Sequence, residues 1–129
     1  MDKHETTVLL VDDEPNILIA LEFLIQKEGY RVLKAQQGAE ALQLMQLHQP
    51  EIVVLDVMMP EMDGFEVARK IRSNEAFDKT RIIFLSAKGT QKDRLNGYAN
   101  GGEIYLTKPF DNQEVLNTIN EVVEFGLFE

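Results

Sequence analysis

The stretch Ile52-Val53-Val54-Leu55-Asp56-Val57-Met58-Met59-Pro60 does most to restrict how this chain can fold. Four apolar residues, three of them β-branched, run into a carboxylate, and the apolar sequence then resumes until a proline stops it. A continuous apolar run without alternation reads as a strand buried on both faces, the kind found in parallel sheets covered by helices. Its C-terminal end delivers Asp56 to a loop, and an acid at the end of a dry strand needs partners.

The rest of the chain supplies the other layers. Val8-Leu9-Leu10-Val11 is a second apolar run, ending in Asp12-Asp13-Glu14, with Pro15 where a first helical turn tolerates it. Ile17, Leu21 and Leu24, with Leu18 and Ile25 beside them, form a stripe at helical spacing that Gly29 ends. Arg31-Val32-Leu33-Lys34-Ala35 is more polar and reads as an edge or near-edge strand. A helix from about Ala39 to Gln46 follows, with Ala39, Leu42 and Met45 expected inward. After the Asp56 strand come a Pro60-Glu61-Met62-Asp63-Gly64 turn and a helix through Phe65, Ala68 and Ile71.

Arg81-Ile82-Ile83-Phe84-Leu85 makes a fourth strand that stops at Ser86-Ala87. The helix expected from Gln91 to Ala99 offers only Leu95, Tyr98 and Ala99 as apolar anchors and is followed or interrupted by glycines at 97, 101 and 102, so it is predicted to be weakly held. Ile104-Tyr105-Leu106-Thr107 is a short fifth strand ending at Lys108-Pro109. Asp111 with Glu114 gives a capping-box-like start to a last helix, whose buried stripe is Val115, Ile119, Val122 and Val123. Phe125, Leu127 and Phe128 are expected to cap that helix against the core; the alternative is an exposed apolar patch. Five strands alternating with five helices imply an α/β fold: an open, doubly wound parallel sheet with helices on both faces.

At 129 residues with 44% hydrophobic content the chain fits one domain, 1–129, with a core from about residue 7 to about residue 124. The absence of cysteine removes disulfides, thiolate nucleophiles and zinc-thiolate sites, and suits the cytosol. The polar N-terminus and the lack of any run of membrane-spanning length point to a cytoplasmic protein with no membrane partner. A net charge of -9 argues against direct nucleic-acid binding, since phosphates would be repelled.

In open parallel α/β sheets the ligand site lies beyond the C-terminal strand ends, where strand order reverses. Four of the five predicted strands end there in polar groups: Asp12 and Asp13, Asp56, Ser86 and Lys108. Any one of these reads most simply as a turn or solvated loop residue. Three acids, a hydroxyl and an amine converging on one edge do not. Two carboxylates about 4 Å apart repel by roughly 4 kcal/mol at an effective dielectric near 20, so the cluster asks for a cation, and an open all-oxygen site suits Mg2+ better than Ca2+. A metal beside a carboxylate, with a hydroxyl and an ammonium opposite, is a phosphoryl-binding geometry in which Asp56 attacks in line and becomes an aspartyl phosphate.

The motifs Val11-Asp12-Asp13-Glu14-Pro15, Leu55-Asp56-Val57-Met58-Met59-Pro60 with Met62-Asp63-Gly64, Leu85-Ser86-Ala87, and Tyr105-Leu106-Thr107-Lys108-Pro109-Phe110 together resemble the CheY-like receiver domains of two-component response regulators, from Val8 to about Val123. The resemblance implies a flavodoxin-like sheet of order 2-1-3-4-5. It implies that Asp56 takes phosphate from a sensor histidine kinase or phosphotransfer protein, that Asp13, Asp56 and the Met58 carbonyl hold Mg2+ with Asp12 acting through bound water, and that Ser86 and Lys108 engage the phosphoryl group. It implies a switch made of Ser86 and Tyr105, the aromatic turning inward as the hydroxyl moves toward phosphate, and a cis Lys108–Pro109 bond.

Met58 and Lys88 fall where the family tunes dephosphorylation, and Gly102-Glu103-Ile104 departs from the usual alanine and two acids. The output surface is expected on the Gln91–Ala99 helix, the Tyr105 strand and the last helix. It would act on a downstream protein target or a fused effector domain, and the family also admits a phosphorylation-dependent dimer. On this reading the protein is a signalling switch and not an enzyme.

Two readings from other classes compete. A nucleotide- or flavin-binding module would want G-x-G-x-x-G after the first strand, where this chain has Asp12-Asp13-Glu14-Pro15. An aspartate-nucleophile phosphatase of the haloacid dehalogenase type resembles Asp-x-Asp, and here Met58 occupies the second position.

Overall fold

The computed structural model of the chain describes residues 2–87 and 89–125. After a 3-10 turn at Lys3–Glu5 the strands are β1 (Thr7–Val11), β2 (Arg31–Ala35), β3 (Ile52–Asp56), β4 (Arg81–Ser86) and β5 (Ile104–Thr107). Between and after them run α1 (Pro15–Glu28), α2 (Gly38–His48), α3 (Gly64–Arg72), α4 (Gln91–Ala99) and α5 (Asn112–Phe125). The sheet is parallel throughout, in the order β2-β1-β3-β4-β5. This is the expected doubly wound, flavodoxin-like architecture.

The central strand β3 is buried at every position, as its unbroken apolar run requires. Alternate side chains of the inner strands feed two cores. On one face Val8, Leu10, Ile52, Val54, Ile83 and Leu85 pack with the inner stripes of α1 and α5. On the other, Leu9, Val53, Leu55, Ile82 and Phe84 pack with α2 and α3. β2 is the more exposed edge, in keeping with its composition.

Local signals set the helix boundaries. Pro15 opens α1, and Gly29, at a φ of 118°, closes it with its N–H on the carbonyls of Gln26 and Ile25. The Asp63 side chain caps α3 by accepting from the Glu66 N–H at 2.9 Å. Asp111 starts α5 by accepting from the Gln113 N–H at 2.9 Å, one residue short of the Glu114 contact that a capping box would use.

Three expectations about burial are corrected. Ala39 is exposed, and the inward face of α2 is Gly38, Ala41 and Met45, because that stripe sits where Gly38 lets the helix start close against Val67 and Met62 of the next unit. Phe125 is 67% exposed and caps nothing, since α5 is already covered through Val122 and Val123 one turn earlier. Leu127 and Phe128 lie outside the described residues. In α4 the intended anchors point outward: Leu95 is 59% and Tyr98 46% exposed, Ala99 is exposed, and only Gly97 is buried.

Candidate functional site

The strand order reverses at β1, whose neighbours are β2 on one side and β3 on the other, so the crevice expected of such sheets opens above the C-terminal ends of β1 and β3. Val11 pairs with Leu55, and the next residue of each strand is therefore level: Asp12 beside Asp56. Asp56 pairs with Leu85, placing Ser86 just beyond it, and Ser86 pairs with Thr107, placing Lys108 just beyond that. Sheet register alone thus brings the predicted residues to one rim.

Carboxylate oxygens of Asp12, Asp13 and Asp56 lie within 4.8 Å of one another. Asp12 and Asp56 are buried and Asp13 is exposed, so the cluster has a wet side. The Lys108 ammonium stands 3.6 Å from Asp56 Oδ1 and 3.7 Å from Asp12 Oδ2, close enough to attract both and too far to hydrogen-bond either. Asp12 Oδ1 accepts from the Glu14 N–H at 2.9 Å, whereas its Oδ2 is the buried side-chain oxygen without a hydrogen-bond partner among the described residues. Among the described residues Asp56 Oδ1 receives only a long bond from the Met58 N–H, 3.3 Å.

The electrostatics follow from that geometry. Burial pushes the Asp56 carboxyl up from 3.8 to about 6, and the neighbouring Asp12 charge adds to the rise, with Lys108 and the Met58 N–H opposing it. Burial likewise raises Asp12, against the Glu14 N–H and Lys108. One amine does not neutralise three acids. An orphaned buried oxygen facing two further carboxylates fits a hard cation, whose charge and oxygen preference would satisfy what Lys108 leaves unmet.

The loop that carries Asp56 is held from behind. A Cβ on Gly64 would collide with the Asp56 carbonyl oxygen and lie 2.8 Å from Val57 Cα, so only glycine lets α3 begin this close, and its N–H donates to the Val57 carbonyl at 2.9 Å. Beyond it, Phe65 meets Phe84 edge-on with ring centres 5.3 Å apart, and Phe84 meets Tyr105 at 6.0 Å. A cleft of about 500 Å³ lined by Met58, Met59, Asp63, Phe65, Asp93 and Asn96 runs beside the acids, not over them.

Ser86 is fully buried, and a side-chain hydrogen bond joins it to Tyr105, whose ring is inward and 3% exposed. The Lys108–Pro109 peptide is cis, and the Lys108 N–H donates to the Ser86 carbonyl at 2.6 Å. Met58 is 52% exposed beside the acceptor, and Lys88 lies outside the described residues.

A family model described as the response regulator receiver domain matches residues 8–120. The chain belongs to that family. It is 37% identical over 116 residues to the probable transcriptional regulator ycf29 of Pyropia yezoensis, covering 90% of this chain and 52% of that protein. It is 33% identical over 116 residues to the protein PilH of Pseudomonas aeruginosa, covering 90% of this chain and 96% of PilH. The receiver therefore spans about half the length of the first relative and nearly all of the second. Among solved structures it is similar to the chemotaxis protein CheY4 of Vibrio cholerae, with a TM-score of 0.86, 32% identity and coverage of 91% of this chain and 98% of that one. The acidic pocket of Asp12, Asp13 and Asp56 is consistent with a phosphoacceptor site. No helix among the described residues is long and apolar enough to cross a membrane.

Reading the sequence missed what fastens α4. Thr90 and Asp93 form a reciprocal capping box, a Thr-x-x-Asp signal that was present to be read. Arg94 crosses to β5, donating to the Tyr105 carbonyl at 3.2 Å and the Thr107 hydroxyl at 2.8 Å. From α3, Arg69 bonds Asn100, while Arg72 bonds the Gly101 carbonyl at 3.0 Å and Glu103 at 2.9 Å. The departure at Gly102-Glu103 is structural: a Cβ on Gly102 would enter the Phe84 ring, and Glu103 accepts from the Ile82 N–H at 2.6 Å. No spacing rule announces arginine contacts of this kind.

Proposed function

We propose that this receiver is a phosphoacceptor switch in which Asp56 takes a phosphoryl group from the phosphohistidine of a sensor histidine kinase or phosphotransfer protein. An Asp56 carboxylate oxygen forms the new bond to phosphorus as the bond to the imidazole nitrogen breaks, and the electron pair returns to the imidazole. The observation that carries this reading is the buried Asp56 carboxylate, with Lys108 3.6 Å away and two further acids beside it.

Asp13, Asp56 and the Met58 carbonyl would hold Mg2+, with Asp12 acting through bound water; the unpartnered Asp12 Oδ2 supports that role. When bound, the ion supplies positive charge to the transferring phosphoryl oxygens. Lys108 offsets charge on the opposite side, and the Ser86 hydroxyl donates to a phosphoryl oxygen. Occupancy of that position by phosphate favours the Ser86–Tyr105 arrangement and alters the face formed by α4, β5 and α5, which bears the exposed Leu95 and Tyr98.

That face acts on a downstream protein target or on an effector domain fused to the receiver, in the cytoplasm, with phosphorylation-dependent dimerisation as one form of output. A single receiver domain on residues 1–129 is sufficient for the acceptor chemistry. Hydrolysis of external phosphomonoesters is not part of the function, because Met58 stands where a phosphatase of this chemistry needs its general acid.

Incubation with acetyl phosphate and Mg2+ should add one phosphoryl group, seen by intact mass, and Asp56→Asn should abolish it. An Asp56→Asn variant modified as fully as wild type would defeat the assignment.

A further inference from the structure

We infer that Met58 is an oxidation site through which a peroxide shortens the life of the phosphorylated domain: its thioether becomes a sulfoxide whose oxygen holds water beside Asp56. The inference rests on Asp56 being the phosphoacceptor and adds a second chemistry, at sulfur, to the loop that carries it.

Three of the chain's five methionines, Met58, Met59 and Met62, fall in the loop that follows Asp56. The structure separates them by access. Met58 is 52% exposed, whereas Met59 is 7% and Met45 0% exposed, and Met62 is half-buried with its sulfur packed at the start of α2 beside Gly38. Met1 lies outside the described residues. Met58 is thus the open thioether among the described residues, and it borders the cleft of about 500 Å³, which has room for peroxide and for water. A methionine usually fills gaps in a core, and one left this open does little of that. The chain has no cysteine, so no thiol competes for the oxidant.

Position ties this sulfur to the acceptor. The Met58 N–H donates to Asp56 Oδ1 at 3.3 Å, which sets the Met58 backbone beside the carboxylate, and the side chain leaves from there. The carboxylates on the cleft rim, Asp63 and Asp93, are each turned to a helix cap. Met58 therefore decides whether the edge of the cleft next to Asp56 is apolar or hydrogen-bonding.

Oxidation changes that edge. A sulfur lone pair attacks one oxygen of hydrogen peroxide, and the S–O bond forms as the O–O bond breaks. The departing hydroxide takes the proton from the new S–OH group and leaves as water, so sulfur loses two electrons and the peroxide gains them. In the phosphorylated domain a water oxygen bonds to phosphorus as the bond to the Asp56 oxygen breaks, restoring the carboxylate; one water proton stays on the released phosphate and the other goes to solvent. A thioether is a weak hydrogen-bond acceptor and a sulfoxide oxygen a strong one, so the oxidised side chain accepts an O–H of the attacking water and leaves its lone pair free for phosphorus. The sulfoxide is too weak a base to remove the proton, and Met58 acts by positioning.

Treatment with hydrogen peroxide, then phosphorylation by acetyl phosphate and Mg2+, tests this, with oxidation mapped by peptide mass and phosphoryl loss followed by intact mass once acetyl phosphate is removed. Met58 should gain an oxygen well before Met59, Met62 and Met45, and the phosphorylated form should then decay roughly 2- to 10-fold faster, the weight of one hydrogen bond. Sulfoxide reductases for both epimers, with a dithiol, should restore the original lifetime. Met58→Leu, compared with its own untreated sample, should lose the response to peroxide, and untreated Met58→Gln, which offers an amide oxygen in place of the sulfoxide, should decay faster than untreated Met58→Leu. Met59 or Met62 oxidised as fast as Met58, a lifetime unchanged or lengthened by the Met58 sulfoxide, no recovery with the reductases, or a peroxide response kept in Met58→Leu would overturn the inference. If untreated wild type takes up no phosphoryl group at Asp56, the phosphoacceptor reading fails and the inference with it, whereas a phosphorylated protein indifferent to Met58 oxidation rejects the redox site alone.

Discussion

Replacing Asp56 by asparagine should stabilise the metal-free protein, and should do so only above the pH at which the acid gives up its proton. The Asp56 carboxyl sits at about 6 in place of 3.8, chiefly because burial strips its water and secondly because the Asp12 charge faces it. At about 1.36 kcal/mol for each tenfold change in proton affinity, that displacement corresponds to ~3 kcal/mol.

The sign follows from which state holds the proton more tightly. The folded pKa is the higher one, so the stabilising contribution of the protonated group is complete below about pH 4 and is lost as pH rises through about 6. Asparagine keeps the shape and cannot ionise, so the variant does not lose it. Allowing for the forfeited attraction to Lys108 at 3.6 Å and the weaker bond from the Met58 N–H, the net gain should be about 2 kcal/mol near pH 7.5. Urea unfolding in chelator across this pH range, with m checked for constancy, measures it. A gain that does not shrink on acidification, or a variant less stable than wild type near neutrality, would refute the claim that Asp56 is strained by burial and charge.

Other outcomes follow from the same structure. Mg2+ at ten times its Kd should stabilise the wild type by about 1.4 kcal/mol in thermal unfolding, and Asp13→Asn should remove most of that gain while leaving the metal-free protein folded. Gly64→Ala should cost on the order of 2–4 kcal/mol and slow acetyl phosphate labelling, since its methyl group must push the Asp56–Val57 backbone out of place; normal labelling by intact mass would count against that packing. Arg72→Met should cost about 1–2 kcal/mol because it removes the ion pair to the half-buried Glu103 carboxylate and the bond to the Gly101 carbonyl, with hydrogen exchange rising first at residues 100–103; no local change there would contradict the clamp.

How much the sequence revealed depended on the kind of signal each element carries. β1, β3 and β4 are apolar runs with no alternation, and for them period, burial and parallel pairing are one statement, so the sheet could be read directly. The acid pocket was legible for a related reason: in a parallel sheet the residue just after each strand has only one place to go, and Asp12, Asp56, Ser86 and Lys108 are each just at or past a strand end. Helix faces were less legible. Ala39 and Ala41 are equally apolar, and only the close approach at Gly38 decides which one turns inward. The glycines of α4 and the loop after it read as weakness because helix propensity is all that a sequence displays there, whereas Gly97 and Gly102 are the places where Tyr105 and Phe84 pack.

That difference bears on how the switch can work. An element seated on apolar side chains leaves the sheet only at the cost of exposing them, about 25 cal/mol for each Å². α4 brings little of that cost from its own side chains, since Leu95 and Tyr98 are already in water and Gly97 has none, so what its departure exposes is the Tyr105 and Phe84 surface that packs against Gly97. It is fastened instead by polar contacts that water can replace: Arg94 to β5 near its middle, and Arg69 and Arg72 to Asn100 and Gly101 just past its end. Hydrogen bonds of this exposed or half-buried kind contribute about 0.5–1.5 kcal/mol each, so a few of them make an energy gap that one phosphoryl group can bias. The rigid apolar strands and the loosely tied helix are therefore complementary: the first fix Asp56 within reach of Lys108, and the second is the element whose balance a new charge at Asp56 has enough energy to change.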